Sequence, residues 1–312
     1  GARGLMFVDL HQDIAFYFLT SLSPPPFDAD AGGRQSDLPK LRRAGAELVF
    51  AAVFPFVNAY GAWTPDVRLA WEGVKVYHAI AERHGVKIVE TRGDLYAPGL
   101  KFLITLEGAD VVHGVEDLRL WHRLGLRGLG VTWNLDNRWG HSCYSKNDRG
   151  LTEAGAELVD AAQRLGIVVD LAHAGEATAL DVLREARKPV VISHANARGV
   201  TPHPRNVSDE VLKALADRGG VVGLTFIPST ISQSPTPRDL AKHASYLRDK
   251  FGVEIIAVGT DYLGISTTPQ GLESVDKIDN FVKALKDAGF RDEEVEAVMW
   301  RNAYRLLREV LP

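Results

Sequence analysis

Cysteine is almost missing from this 312-residue chain, Cys143 being the only one. A single thiol excludes an intrachain disulfide framework and fits a reducing compartment. Charge of one sign is not in excess either. With 36 basic against 40 acidic residues and a net charge of -4, nothing favours nucleic acid or an anionic membrane as partner. No apolar run reaches membrane-spanning length. The opening Gly-Ala-Arg-Gly lacks the apolar segment of a signal peptide, so a cytoplasmic location is expected. What is present is ordinary for a soluble enzyme: 46% hydrophobic and 24% charged residues exclude disorder as the main theme.

The chain alternates short apolar runs with amphipathic stretches. Phe7 to Asp13 (Phe-Val-Asp-Leu-His-Gln-Asp) predicts a buried strand, and the runs Glu47 to Phe54, Lys101 to Glu107, Leu126 to Thr132, Ile167 to His173, Val190 to His194, Gly220 to Phe226 and Glu254 to Asp261 predict seven more. Helices are expected at Leu38 to Ala44, Val67 to His84, Glu116 to Leu124, Thr152 to Leu165, Glu176 to Arg187, Ser208 to Arg218 and Asp239 to Phe251. Ser21 to Ser36, with its prolines and glycines, predicts a long loop, as does Pro55 to Pro65. The tail from Ser274 to Glu309 predicts two helices divided near Gly289. Parallel βαβ units joined by right-handed crossovers close most naturally into an α/β (β/α)8 TIM-type barrel with extra C-terminal helices, an open doubly wound sheet being the competitor. No linker divides the chain, so residues 1–312 are expected to form one domain.

Five of the eight expected strands end in metal-type ligands: His11 with Asp13, Glu107, His173, His194 and Asp261. In a barrel these ends all open on one mouth. Each residue alone also reads blandly, as a helix cap, a salt-bridge member or a hydrogen-bonded structural histidine. Taken together they point to a metal site. Three histidines and three carboxylates exceed what one Zn takes, so the count suits two metals bridged by a carboxylate and a hydroxide, with Asp261 left for proton transfer. That chemistry is hydrolysis of an amide.

Beyond these strands, Leu151 to Leu171, Ser193 to Arg198, His203 to Val207 and Gly271 to Val275 carry a more specific likeness. The chain resembles the membrane dipeptidase (renal dipeptidase) family of the amidohydrolase superfamily, peptidase family M19, over nearly its whole length. The resemblance implies a binuclear zinc barrel that cleaves dipeptides. His11 and Asp13 would bind one metal, His173 and His194 the other, and Glu107 would bridge them. Asp261 matches the catalytic aspartate and Arg205 the arginine that grips the substrate's C-terminal carboxylate, a task suited to a bidentate guanidinium. A homodimer is expected from the resemblance alone.

Two positions depart from the family. Renal-type members carry a histidine at the fourth strand end that polarises the substrate carbonyl, and here the run is Val131-Thr132-Trp133-Asn134. The Trp133 indole N–H and the Asn134 amide are the replacement donors, unless Trp133 merely packs in the mouth. Leu263 stands where a further acidic residue is common. Phe54, Phe56, Tyr60 and Trp63 are expected either to wall the substrate pocket or to form a packed loop cluster. Two alternatives stay open: an amidohydrolase acting on an N-acyl amino acid, lactam or cyclic amide, and a non-catalytic binding protein on the same fold.

Overall fold

Apolar side chains alternate in and out along the parallel strands, which is the reason a ring of them can bury both faces. In the computed structural model, which describes residues 4–312, the ring consists of β1 (Phe7–Gln12), β2 (Ala46–Val53), β3 (Lys101–Leu106), β4 (Leu126–Gly130), β5 (Val168–Asp170), β6 (Val191–Ile192), β7 (Val221–Leu224) and β8 (Ile256–Val258), neighbours in that order. The seam between β8 and β1 closes just past the strand ends. There the Asp261 N–H donates to His11 O and the Asp13 N–H to Tyr262 O, both at 3.0 Å. Leu48, Phe50, Leu103, Val168 and Val221 fill the barrel, while Val49, Ala51, Ile104 and Val169 face the helices. The expected (β/α)8 architecture is the observed one.

The N-terminal end of the barrel is plugged. Tyr304, Leu307 and Val310 of the helix Asn302–Val310 pack against Val8, Leu48 and Leu103 inside the ring. Asn302 fastens that helix by donating its amide to Val253 O and Ile256 O, both at 2.8 Å. With this end sealed, only the C-terminal mouth is free for chemistry.

Two stretches differ from expectation. Phe56–Ala59 and Ala62–Pro65 pair as an antiparallel hairpin where the sequence predicts only loop. All but Phe56 of these residues are exposed, so the apolar alternation that signals a strand is missing. Ile14–Thr20 forms a short helix directly after β1. The long segment before Ser36 is held by Arg34, whose guanidinium donates to Pro25 O at 2.6 Å, Pro26 O at 2.9 Å and Ala29 O at 2.7 Å.

Candidate metal centre

The residues at the strand ends converge. A bulge in β1 sets three residue steps, Asp9 to Gln12, against two in β2, Val49 to Ala51. The extra residue reverses the in-out alternation, so His11 joins the inward side although Val8 and Leu10 also line the interior. Asp9 fixes the bulge. Its carboxylate accepts from the Thr260 N–H at 2.9 Å, the Thr260 hydroxyl at 2.6 Å and the Gln12 amide at 2.8 Å. Just beyond β5 and β8 the backbone itself turns, with His173 at φ 71° and Asp261 at φ 69°. Left-handed non-glycine residues are strained, and here the strain aims both side chains into the mouth.

Glu107, just beyond β3, sits at the middle of the cluster. Its Oε1 lies 3.5 Å from His11 Nε2, and its Oε2 lies 3.0 Å from His173 Nε2 and 3.4 Å from His194 Nε2. His11 Nε2 also stands 3.1 Å from Asp13 Oδ2 and 3.5 Å from Asp261 Oδ1. Ligand atoms of His11, Asp13 and Glu107 fall within 4.8 Å of one another, and so do those of Glu107, His173 and His194. The structure thus gathers all six predicted metal and proton-transfer residues; five are buried, and the Glu107 side chain is 9% exposed.

Hydrogen bonds on the far side of the rings decide which nitrogens are bare. His173 Nδ1 is 2.7 Å from Asn134 Oδ1, an acceptor only, so the proton sits on Nδ1 and Nε2 keeps its lone pair. His194 Nδ1 is 2.7 Å from the Ser193 hydroxyl, which in turn is bonded to buried Asp170. Burial, reinforced by the nearby Arg205 charge, pushes His173 down to about 4, and burial with the charge on His11 holds His194 well below its usual value. Two neutral imidazoles and a carboxylate therefore aim lone pairs at one point. That arrangement is repulsive unless a cation occupies it.

Around His11 the same demand appears as a proton. Burial disfavours its charged form, yet Glu107 and Asp13 outweigh burial and raise its pKa well above normal. Glu107 is correspondingly held low by His11 against the effect of burial. Burial and then the Asp13 charge push Asp261 well up. Three buried carboxylates with one protonated imidazole among them call for more positive charge, and the oxygen and nitrogen donors suit Zn, Mn or Fe.

Arg205, on the loop after β6, is buried, and its Nη2 donates to His194 O at 2.9 Å. It borders a pocket of about 970 Å³ together with Asp13, Glu107, Asn134, His173 and Asp261. Trp133 packs among Phe54, Phe56 and Trp63, with ring centroids 4.9, 4.6 and 5.4 Å away. Asn134 serves His173, as described, and also lines the pocket.

Three supporting residues escape the sequence reading. Asp9 and Asp170 are fully or almost fully buried acids, each two or three positions before a candidate ligand histidine in an apolar strand (Val-Asp-Leu-His and Val-Asp-Leu-Ala-His), and that repeated pattern is a usable signal. Gly264 has none. A Cβ there would collide with Asp13 Oδ2 and come within 2.8 Å of Asp261 Oδ1.

Residues 2–311 match the membrane dipeptidase family, peptidase family M19. Dipeptidase verJ of Clonostachys rogersoniana is 28% identical over 97% of this chain and 84% of that protein. Dipeptidase tcpJ of Claviceps purpurea is 34% identical over 66% of this chain and 51% of that protein. Among solved structures, a metallopeptidase from Rhodobacter sphaeroides, liganded with a phosphinate mimic of the dipeptide L-Ala-D-Ala, superposes with a TM-score of 0.86 at 26% identity, covering 98% of this chain and 99% of that one. The barrel, the cluster at its mouth and these likenesses agree: the chain belongs to the membrane dipeptidase family, and with it to the metal-dependent dipeptidases.

Proposed function

We propose that the protein hydrolyses the amide bond of a small dipeptide with a free C-terminal carboxylate, using two divalent cations, zinc by preference. His11, Asp13 and Glu107 would hold one, and Glu107, His173 and His194 the other. The observation that carries this reading is the division of labour within Glu107, whose two oxygens face different ligand sets. Bound there, the cations would acidify a water molecule and polarise the scissile carbonyl.

The chain's own residues do the rest. Arg205 receives the substrate carboxylate and so fixes which carbonyl lies over Glu107. Asp261, as its carboxylate, takes the proton of the attacking water and passes it to the departing amine as the C–O bond forms and the C–N bond breaks. Trp133 and Asn134 border the carbonyl side, Asn134 also holding the His173 tautomer. The lone Cys143 supports a reducing, cytoplasmic setting, and no helix among the described residues is long and apolar enough to cross a membrane. Turnover of a dipeptide panel beside matched N-acyl amino acids tests the reading: cleavage of dipeptides is expected, and cleavage of N-acyl amino acids alone would replace it with the amidohydrolase alternative.

A further inference from the structure

The mouth has two unlike sides. Arg205 follows β6, whereas Phe54 follows β2, and in a ring of eight strands those two ends lie opposite each other across the metal centre. Phe54 is joined on its side by Phe16, Trp63 and Trp133, with Phe16 edge-on to Phe54 at 5.4 Å and Trp63 edge-on to it at 5.6 Å. These four rings line the catalytic pocket. Behind them a second cleft of about 270 Å³ shares Phe16, Phe54 and Trp63 and continues along Leu19, Val57 and Leu69. No charged side chain lines that second cleft.

A dipeptide whose carboxylate meets Arg205 must cross the centre to place its amide over Glu107. Its amino-terminal residue then falls on the aromatic side. We propose that this residue carries a large apolar side chain, aliphatic or aromatic, seated against Phe16, Phe54, Trp63 and Trp133. The proposal rests on the dipeptidase reading and on Arg205 as the carboxylate anchor. An apolar wall rewards each buried methylene and penalises a charge that would lose its water without gaining a partner. It therefore selects Leu or Phe over Ala, and Ala over Glu or Lys.

The test compares Leu-Ala, Phe-Ala, Ala-Ala, Glu-Ala and Lys-Ala with the metal-loaded enzyme. A kcat/KM for Leu-Ala and Phe-Ala about tenfold or more above that for Ala-Ala is expected, with Glu-Ala and Lys-Ala below Ala-Ala. Trp63→Ala and Phe54→Ala should each shrink the Leu-Ala to Ala-Ala ratio. That ratio is read within one protein and so does not depend on how much of a variant folds. Equal cleavage of Leu-Ala, Ala-Ala and Glu-Ala, or an unchanged ratio in both variants, overturns the proposal and leaves the dipeptidase reading standing. Failure to cleave any of the five would overturn both.

Discussion

His173 and His194 present their Nε2 atoms to each other at 3.2 Å and share Glu107 Oε2 as a common neighbour. With both Nδ1 positions engaged by Asn134 and Ser193, no proton is left to bridge the pair. A cation resolves the conflict, and the same carboxylate reaches the His11 side through its other oxygen. Purified protein is expected to bind two equivalents of zinc per chain, and Glu107→Gln at most one under the same conditions. Elemental analysis after dialysis reads the count. Activity of that variant should fall by roughly a hundredfold or more, the effect of losing several kcal/mol of charge stabilisation.

Arg205 offers a test that separates binding from chemistry. Arg205→Ala should raise KM for dipeptides by roughly a hundredfold, the usual scale for truncating a buried charge-paired donor, with a smaller change in kcat. Wild-type enzyme should cleave a dipeptide far better than the corresponding dipeptide amide, and the variant should lose that preference. If the preference persists, the carboxylate is held elsewhere.

Gly264 makes room for the Asp13 carboxylate. Because an added methyl would overlap Asp13 Oδ2, Gly264→Ala should displace that ligand and weaken metal affinity ~10–100-fold, as changes behind a ligand commonly do. The thermal midpoint of the metal-free protein should move little, since the clash is with a side chain at the mouth and not with the core. Chelator competition and calorimetry together read the two effects.

Asp110 gives a pH-dependent stability. Burial raises its pKa to about 6 from an unfolded value near 3.8, against the hydrogen bond it accepts from the Asn137 amide at 3.0 Å. Its protonated form is the one the fold prefers, so its favourable contribution is complete below the unfolded value and is lost as pH rises through about 6. Asp110→Asn keeps an acceptor for Asn137 and removes the penalty. It should stabilise the protein by up to about 3 kcal/mol at pH 7.5 and by roughly half a kcal/mol at pH 4, as measured by the difference in unfolding free energy between the two proteins.

The sequence displays the barrel and its candidate ligands because five of the eight strands are apolar runs that close on a group that water-free surroundings would reject. His11, Glu107, His173 and His194 all stand out on that ground. The β1 bulge does not, since it depends on how Asp9 meets Thr260 from the far end of the chain. Nor do the left-handed turns at His173 and Asp261: both residue types are enriched at positive φ, but most of their occurrences are not left-handed, so the cue is too weak to place a turn. The hairpin at Phe56–Pro65 was hidden for the opposite reason: exposed on nearly every residue, it has no buried face to leave a pattern. Ile14–Thr20 is apolar on most positions, and so short a run carries no periodicity that separates helix from strand.

The seam where Asp261 bonds to His11 and Asp13 to Tyr262 joins the first strand to the last. Side chains donated from both flanks of that junction cannot meet until every intervening unit has been laid down and the circle shut. The cluster of His11, Asp13, Glu107 and Asp261 is therefore an all-or-nothing property of the finished ring, and a nascent or partly assembled chain has no workable fraction of it.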